Sequence, residues 1–220
     1  MQTEYILKRL SRRSISLHIL ESGALEVRAP RYIPEFIIRQ FVASKQDWIN
    51  KTKIKLSSLP TSRKPTYKEG DIFRMGGVAY ALHITDGNAI VLTQKRLFFP
   101  KKFLARPRYH MEVFCRKFAK QFLTKRLEFY AEKMGVKYKR ISIRDTTSRW
   151  GSCSSTGTIS FSYRLILAEL VIIDYVVAHE LAHVTHHHHK PAFWAHLSRF
   201  YPEYISAKTW LRREGHTLKI

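Results

Sequence analysis

Asp174-Tyr175-Val176-Val177-Ala178-His179-Glu180-Leu181-Ala182-His183, residues 174–183, is an apolar stretch carrying two imidazoles and a carboxylate at the spacing H-E-x-x-H. A helix turns about 100° per residue, so positions i and i+4 lie on one face. His179 and His183 then stand side by side, able to reach one zinc ion at about 2.0–2.1 Å. Glu180 points into the same cleft without needing to bind metal. There it can take a proton from a zinc-bound water, whose pKa the metal lowers towards ~7. Asp174 is expected to cap this helix by accepting from the free N–H groups of its first turn.

The five-residue pattern also occurs by chance, as a pair of surface or core histidines on an ordinary helix. Leu181 and Ala182 are the apolar and small neighbours that a buried active-site helix carries, and candidate third ligands follow at His186, His187, His188 and His189. On a straight helix His187 lies two turns beyond His179, about 12 Å along the axis. It would miss a metal held between His179 and His183, so the third ligand must come from chain that has left the helix. Pro191 places the helix end before it, which favours His189. The interval from His183 to His189 is that of the metzincin pattern H-E-x-x-H-x-x-G-x-x-H, although His186 stands where that pattern has Gly.

Upstream, the spacing predicts a long helix over about 108–134. Met111, Phe114, Phe118, Phe122, Leu123, Leu127 and Tyr130 form its core stripe and Gly135 its stop. Alternation predicts strands over Lys137 to Arg144 and Thr158 to Ser162. Nearer the N-terminus, Ser14 to Ile19 alternates, Glu21-Ser22-Gly23 reads as a hairpin turn, and Ala24 to Val27 continues as a strand. Pro34 opens a helix whose apolar face is Ile37, Phe41, Trp48 and Ile49, running to about residue 56. Ser57 to Lys68 reads as a connection, followed by a β-rich piece punctuated by Gly70, Gly76 and Gly77, with Asp86-Gly87-Asn88 between two strand-like runs. The expected architecture is α+β: a β-rich N-terminal region with one helix over 1–105 and a catalytic region over 106–220.

Composition frames these elements. The chain has 220 residues, 45% of them hydrophobic, which is enough for a sizeable core. No apolar run reaches the ~18 residues of a membrane span, and no signal peptide is expected at Met1–Ser14. Cys115 and Cys153 cannot make a disulfide framework, which fits a reduced, cytoplasmic protein. The 39 Lys and Arg against 17 Asp and Glu give a formal charge of +22. Such a field attracts polyanions, nucleic acid included, unless it is only a solvated basic surface.

Three blocks in order carry a family resemblance: Ser148-Arg149-Trp150-Gly151-Ser152-Cys153, then Tyr175 to His183, then His189 with Phe193-Trp194. Ser11-Arg12-Arg13-Ser14, Val27-Arg28-Ala29-Pro30 and Trp48-Ile49 extend it over nearly the whole chain. With these the sequence resembles the YgjP-like metallopeptidases, which are related to the SprT-like and Wss1-like zinc proteins. His188 stands where the family usually has Asn. The resemblance implies a zincin-like catalytic domain, with a small sheet beside the H-E-x-x-H helix and the SRWGSC strand bordering the cleft. It implies a zinc-dependent metallopeptidase. Members have also been linked to UTP pyrophosphatase activity, and the SprT-like relatives imply a protease acting on nucleic-acid-bound proteins. Arg149 either binds a substrate carboxylate or phosphate or makes a structural ion pair.

Overall fold

The structure, a computed structural model, describes residues 4–20, 22–57, 65–146 and 148–220. The chain divides into two compact units, Met1–Pro60 and Thr61–Ile220.

The first unit is built on β3 (Leu25–Pro30), the middle strand of a three-stranded sheet. Its neighbours are β1 (Ile6–Leu10), running parallel, and β2 (Ser16–Ile19), running antiparallel. Leu25, Val27 and Ala29 are buried with Ile38, Val42 and Ile49 of two helices, α1 (Glu35–Ser44) and α2 (Gln46–Ser57). The single helix expected from Pro34 is thus broken at Lys45. Ile49 is buried as expected, but on α1 the buried face is shifted by one position: Ile38 is fully buried, whereas Ile37 is 40% exposed, and Trp48 of α2 is 46% exposed. Of the turn expected at Glu21-Ser22-Gly23, Glu21 lies outside the described residues; Gly23 has φ 80° and its N–H bonds to Leu20 O. Most of the connection expected over Ser57 to Lys68 lies outside them too.

The second unit opens with a four-stranded sheet in the order β4-β5-β7-β6, from β4 (Ile72–Met75), β5 (Val78–Thr85), β6 (Val91–Thr93) and β7 (Arg96–Pro100). The β4–β5 turn presses on α3 (Pro107–Met134): a Cβ on Gly76, whose φ is +59°, would stand 2.8 Å from the Phe122 ring. Phe73, Met75, Leu82, Leu97 and Phe99 therefore share one core with Met111, Leu123 and Leu127 of α3. This shared core joins residues 72–100 to the C-terminal part of the chain, whereas the sequence division at 105 separates them.

Gly135, at φ 65°, ends α3 as expected, returning its N–H to Ala131 O and Glu132 O. A second small sheet follows in the order β8-β10-β9. It comprises β8 (Arg140–Arg144), β9 (Gly151–Cys153) and β10 (Thr158–Ser162), with β10 in the middle and buried. Three helices complete the unit: α4 (Leu170–Thr185), α5 (Pro191–Phe200) and α6 (Tyr204–Glu214). The architecture is α+β. No helix among the described residues is long and apolar enough to cross a membrane.

Candidate metal centre and cleft

Helix α4 carries a core face and a site face. Ile173, Val177, Ala178, Leu181 and Ala182 are buried, so the helix is held on several sides before any chemistry is considered. It begins at Leu170, four residues earlier than the cap expected at Asp174. Asp174 is instead an interior helical residue, buried and paired with Arg126 of α3 through two hydrogen bonds of 2.7 Å. Burial raises its carboxyl against the pull of that guanidinium. The pair ties α4 to α3.

On the site face the rings of His179 and His183 stand edge to face, 4.9 Å between centroids. The chain leaves the helix at His186, whose backbone is extended, and returns to start α5 at Pro191. That return brings His189 Nε2 to 3.0 Å from His179 Nε2 and 3.1 Å from His183 Nε2. His179, His183 and His189 are the three-residue group able to hold a metal ion among the described residues. His187 lines the same cleft without joining them. Of the four consecutive histidines, the chain's exit from the helix at His186 brings His189 back to the two helical ones.

The group fits a divalent metal. His183 Nδ1 lies 3.0 Å from His186 O, which places its proton on Nδ1 and a lone pair on Nε2. Burial pushes His179 down to about 3, with His183 and His189 adding to the effect, and burial also lowers His183 and His189. All three are therefore neutral imidazoles at pH 7. For a zinc ion bound tetrahedrally at about 2.05 Å, ligand nitrogens stand roughly 3.3 Å apart, close to the spacing found. Phe193 packs against all three rings at centroid distances of 4.9, 4.6 and 4.8 Å and forms the floor of the site. Trp194 donates its Nε1–H to His189 O at 3.2 Å, fixing the returning chain. The sequence marks Phe193 only as part of the block shared with the family, and its contact with all three rings adds a place in the site itself.

Glu180 is only 5% exposed. Burial pushes its carboxyl up to about 8, with Arg149 pulling the other way. Its nearest wall is β9: a Cβ on Gly151 would stand 2.5 Å from Glu180 Oε1 and 2.6 Å from its Cγ. A side chain at this position would therefore force the Glu180 carboxylate to shift. Arg149 lines the same cleft of about 510 Å³ as Gly151, Ser152 and the three histidines. No ion pair joins it to a carboxylate among the described residues, so the structural pairing has no partner there. Trp150 is half-buried behind the strand, against Gly215, and serves packing.

The outer rim of the cleft is an unpaired strand edge. Among the described residues β9 pairs only with β10, antiparallel, with Ser152 opposite Ser160. Ser154 N–H bonds to Thr158 O and Ser162 N–H to Trp150 O. By antiparallel alternation Ser152 faces β10, which leaves the main-chain groups of Gly151 and Cys153 directed to the free edge.

A family described as YgjP-like, metallopeptidase domain, matches residues 13–214. No curated protein matches the chain. Among solved structures, the metallopeptidase zymogen abylysin of Pyrococcus abyssi is 25% identical with a TM-score of 0.37, over 41% of this chain and 90% of that one.

Proposed function

Since the chain belongs to the YgjP-like metallopeptidase family, we propose that it is a zinc-dependent peptidase whose metal is held by His179, His183 and His189 and whose general base is Glu180. The observation that carries a peptide substrate is the free edge of β9 beside the three histidines. An extended chain laid along that edge pairs with Gly151 and Cys153 and brings one carbonyl over the site. When bound, zinc supplies a Lewis acid that activates water and polarises the scissile carbonyl.

The chain's own residues do the rest. Phe193 and the carbonyl of His186 fix the imidazole planes, so the site is organised before substrate arrives. Glu180 accepts the proton of the attacking water at its carboxylate and returns it to the leaving amine. Gly151 holds the substrate-side strand against that carboxylate without displacing it.

A second reading, hydrolysis of a nucleoside triphosphate such as UTP at the same site, draws on Arg149, whose guanidinium lines the cleft without an acidic partner. One assay separates the two. Zinc-loaded wild type and Glu180→Gln are compared on casein and on the four nucleoside triphosphates. Casein cleavage by wild type that falls ~10²–10⁴-fold in the variant supports the peptidase. Nucleotide hydrolysis with the same dependence and no casein cleavage replaces it. Near wild-type turnover in the variant on either substrate removes Glu180 from the mechanism.

A further inference from the structure

Beside the metal centre, Trp194 stacks between two rings. Its centroid is 5.5 Å from His189 at 27° between planes and 5.3 Å from Tyr204 at 20°. The aromatic row runs out of the metal site onto α6 and there forms a second groove of about 390 Å³, lined by Trp194, Tyr204, Ile205, Lys208, Thr209 and Arg212. Tyr204, Lys208 and Arg212 are spaced i, i+4 and i+8, one row of the helix. Lys208 Nζ lies 4.1 Å from the Trp194 centroid. That contact holds the ammonium at the groove while leaving its hydrogen-bond donors free. Neither Lys208 nor Arg212 has an ion pair among the described residues, while the next cation, Arg213, reaches Glu214 at 4.0 Å. Ile205, on the same groove, is 65% exposed.

Two unpaired cations over an aromatic and aliphatic floor are complementary to a carboxylate on a short apolar stem. We propose that this groove is a specificity subsite that takes an acidic side chain of a peptide substrate, two or three residues from the scissile bond. The subsite rests on the peptidase reading above. Its distance from the reacting carbonyl follows from the stacking: the groove begins one indole beyond His189, within the span of about three residues of extended chain at ~3.3 Å each. Glu fills the floor with its two methylenes, and Asp reaches the cations with less apolar contact. A neutral or basic side chain leaves Lys208 and Arg212 unmatched or repelled.

The test is a cleavage profile. A peptide mixture from a digested proteome is treated with zinc-loaded wild type, with Lys208→Gln/Arg212→Gln and with Lys208→Glu/Arg212→Glu, and new termini are identified by mass spectrometry. Wild type is expected to enrich Glu, then Asp, at one position two or three residues from the cut. The neutralised pair should lose that preference by about tenfold in kcat/KM for acidic over neutral peptides. The reversed pair should select Lys or Arg at the same position. Circular dichroism checks that each variant folds, and the neutralised pair decides alone if the reversed one does not. Cleavage by wild type without acidic enrichment, or an enrichment that survives both variants, overturns the subsite and leaves the peptidase standing. No cleavage of any peptide by wild type overturns both.

Discussion

Three imidazole Nε2 atoms spaced by 3.0 and 3.1 Å cannot all carry protons, and three lone pairs so placed repel one another unless a cation lies among them. Removing one donor should therefore empty the site. His189→Ala is expected to lose most of the bound metal, whereas His187→Ala, which lines the cleft outside the group, keeps it. Elemental analysis after tag-free purification decides this, and equal loss from both variants would refute the assignment. Gly151 gives a second residue-level prediction. Gly151→Ala puts a methyl within 2.5 Å of Glu180 Oε1, so the carboxylate must move while the histidines stay. Metal content should hold near wild type and hydrolysis should fall about 10²-fold, the cost of an ångström of misplacement. Turnover within a few-fold of wild type would show that Glu180 has room the contact denies it.

Helix α4 is positioned by partners that its own periodicity does not announce. Arg126 is 25% and Asp174 11% exposed at the side chain, and each depends on the other. Truncating Arg126 to Ala leaves the buried carboxylate without its cation, with Tyr130 as its remaining hydrogen-bond partner, and should cost about 3 kcal/mol in urea unfolding. Adding Asp174→Asn should return part of that loss, and a double variant no more stable than Arg126→Ala would count against the pairing. This salt bridge also shows where sequence reading ran short. The end of α3 at Gly135 and the strand β10 were legible, because glycine and alternation mark them locally, whereas Phe114, Phe118 and Phe122 of the expected α3 stripe are only half-buried and Cys115 and Ala119 join Met111, Leu123 and Leu127 in the buried column. Among the four consecutive histidines helix geometry favours His189, and the structure brings that ring beside His179 and His183. Asp174 was misread because a carboxylate before an apolar run looks like a cap, and only its partner 48 residues upstream reveals an interior ion pair. The one-position slip on α1 has a related cause. Ile37 and Ile38 are adjacent and equally apolar, and only the sheet beneath decides which one is buried. The Gly151–Glu180 approach joins two segments 29 positions apart, and no periodicity records it.

For the whole molecule, charge enters in two ways. In metal-free protein His179 is held near 3 against its usual 6.5, so it contributes stability that is complete above about 6.5 and lost as pH falls towards 3. Glu180 is pushed to about 8 from 4.5, so its contribution is complete below about 4.5 and lost as pH rises through 8. Melting of the metal-free protein should thus lose stability above pH 6.5 by an amount that Glu180→Gln abolishes. Wild-type and variant curves that stay parallel from pH 5 to 8 would contradict this. The formal charge of +22 is the second effect. If it serves a polyanion, affinity for single-stranded DNA should fall steeply between 50 and 200 mM salt, through release of counterions from phosphates. Loss of nucleoside triphosphate binding in Arg149→Ala with DNA binding intact would favour the nucleotide reading. Absence of binding to either at low salt would leave the charge as a solvated surface.

The three histidines proposed as metal ligands fall within residues 179–189, and their floor, Phe193, follows four residues later. The wall against Glu180 and the free strand edge come from a separate stretch, residues 151–153. On the proposed assignment, retention of zinc and competence for hydrolysis are separable properties of a sample. A preparation nicked, oxidised or misfolded around β9 would still carry its full complement of zinc and would register as intact by elemental analysis. Metal stoichiometry therefore counts molecules with a closed α4–α5 turn, not active sites. Specific activities should be normalised instead to a titration with a tight-binding, strand-like inhibitor, which requires both segments at once.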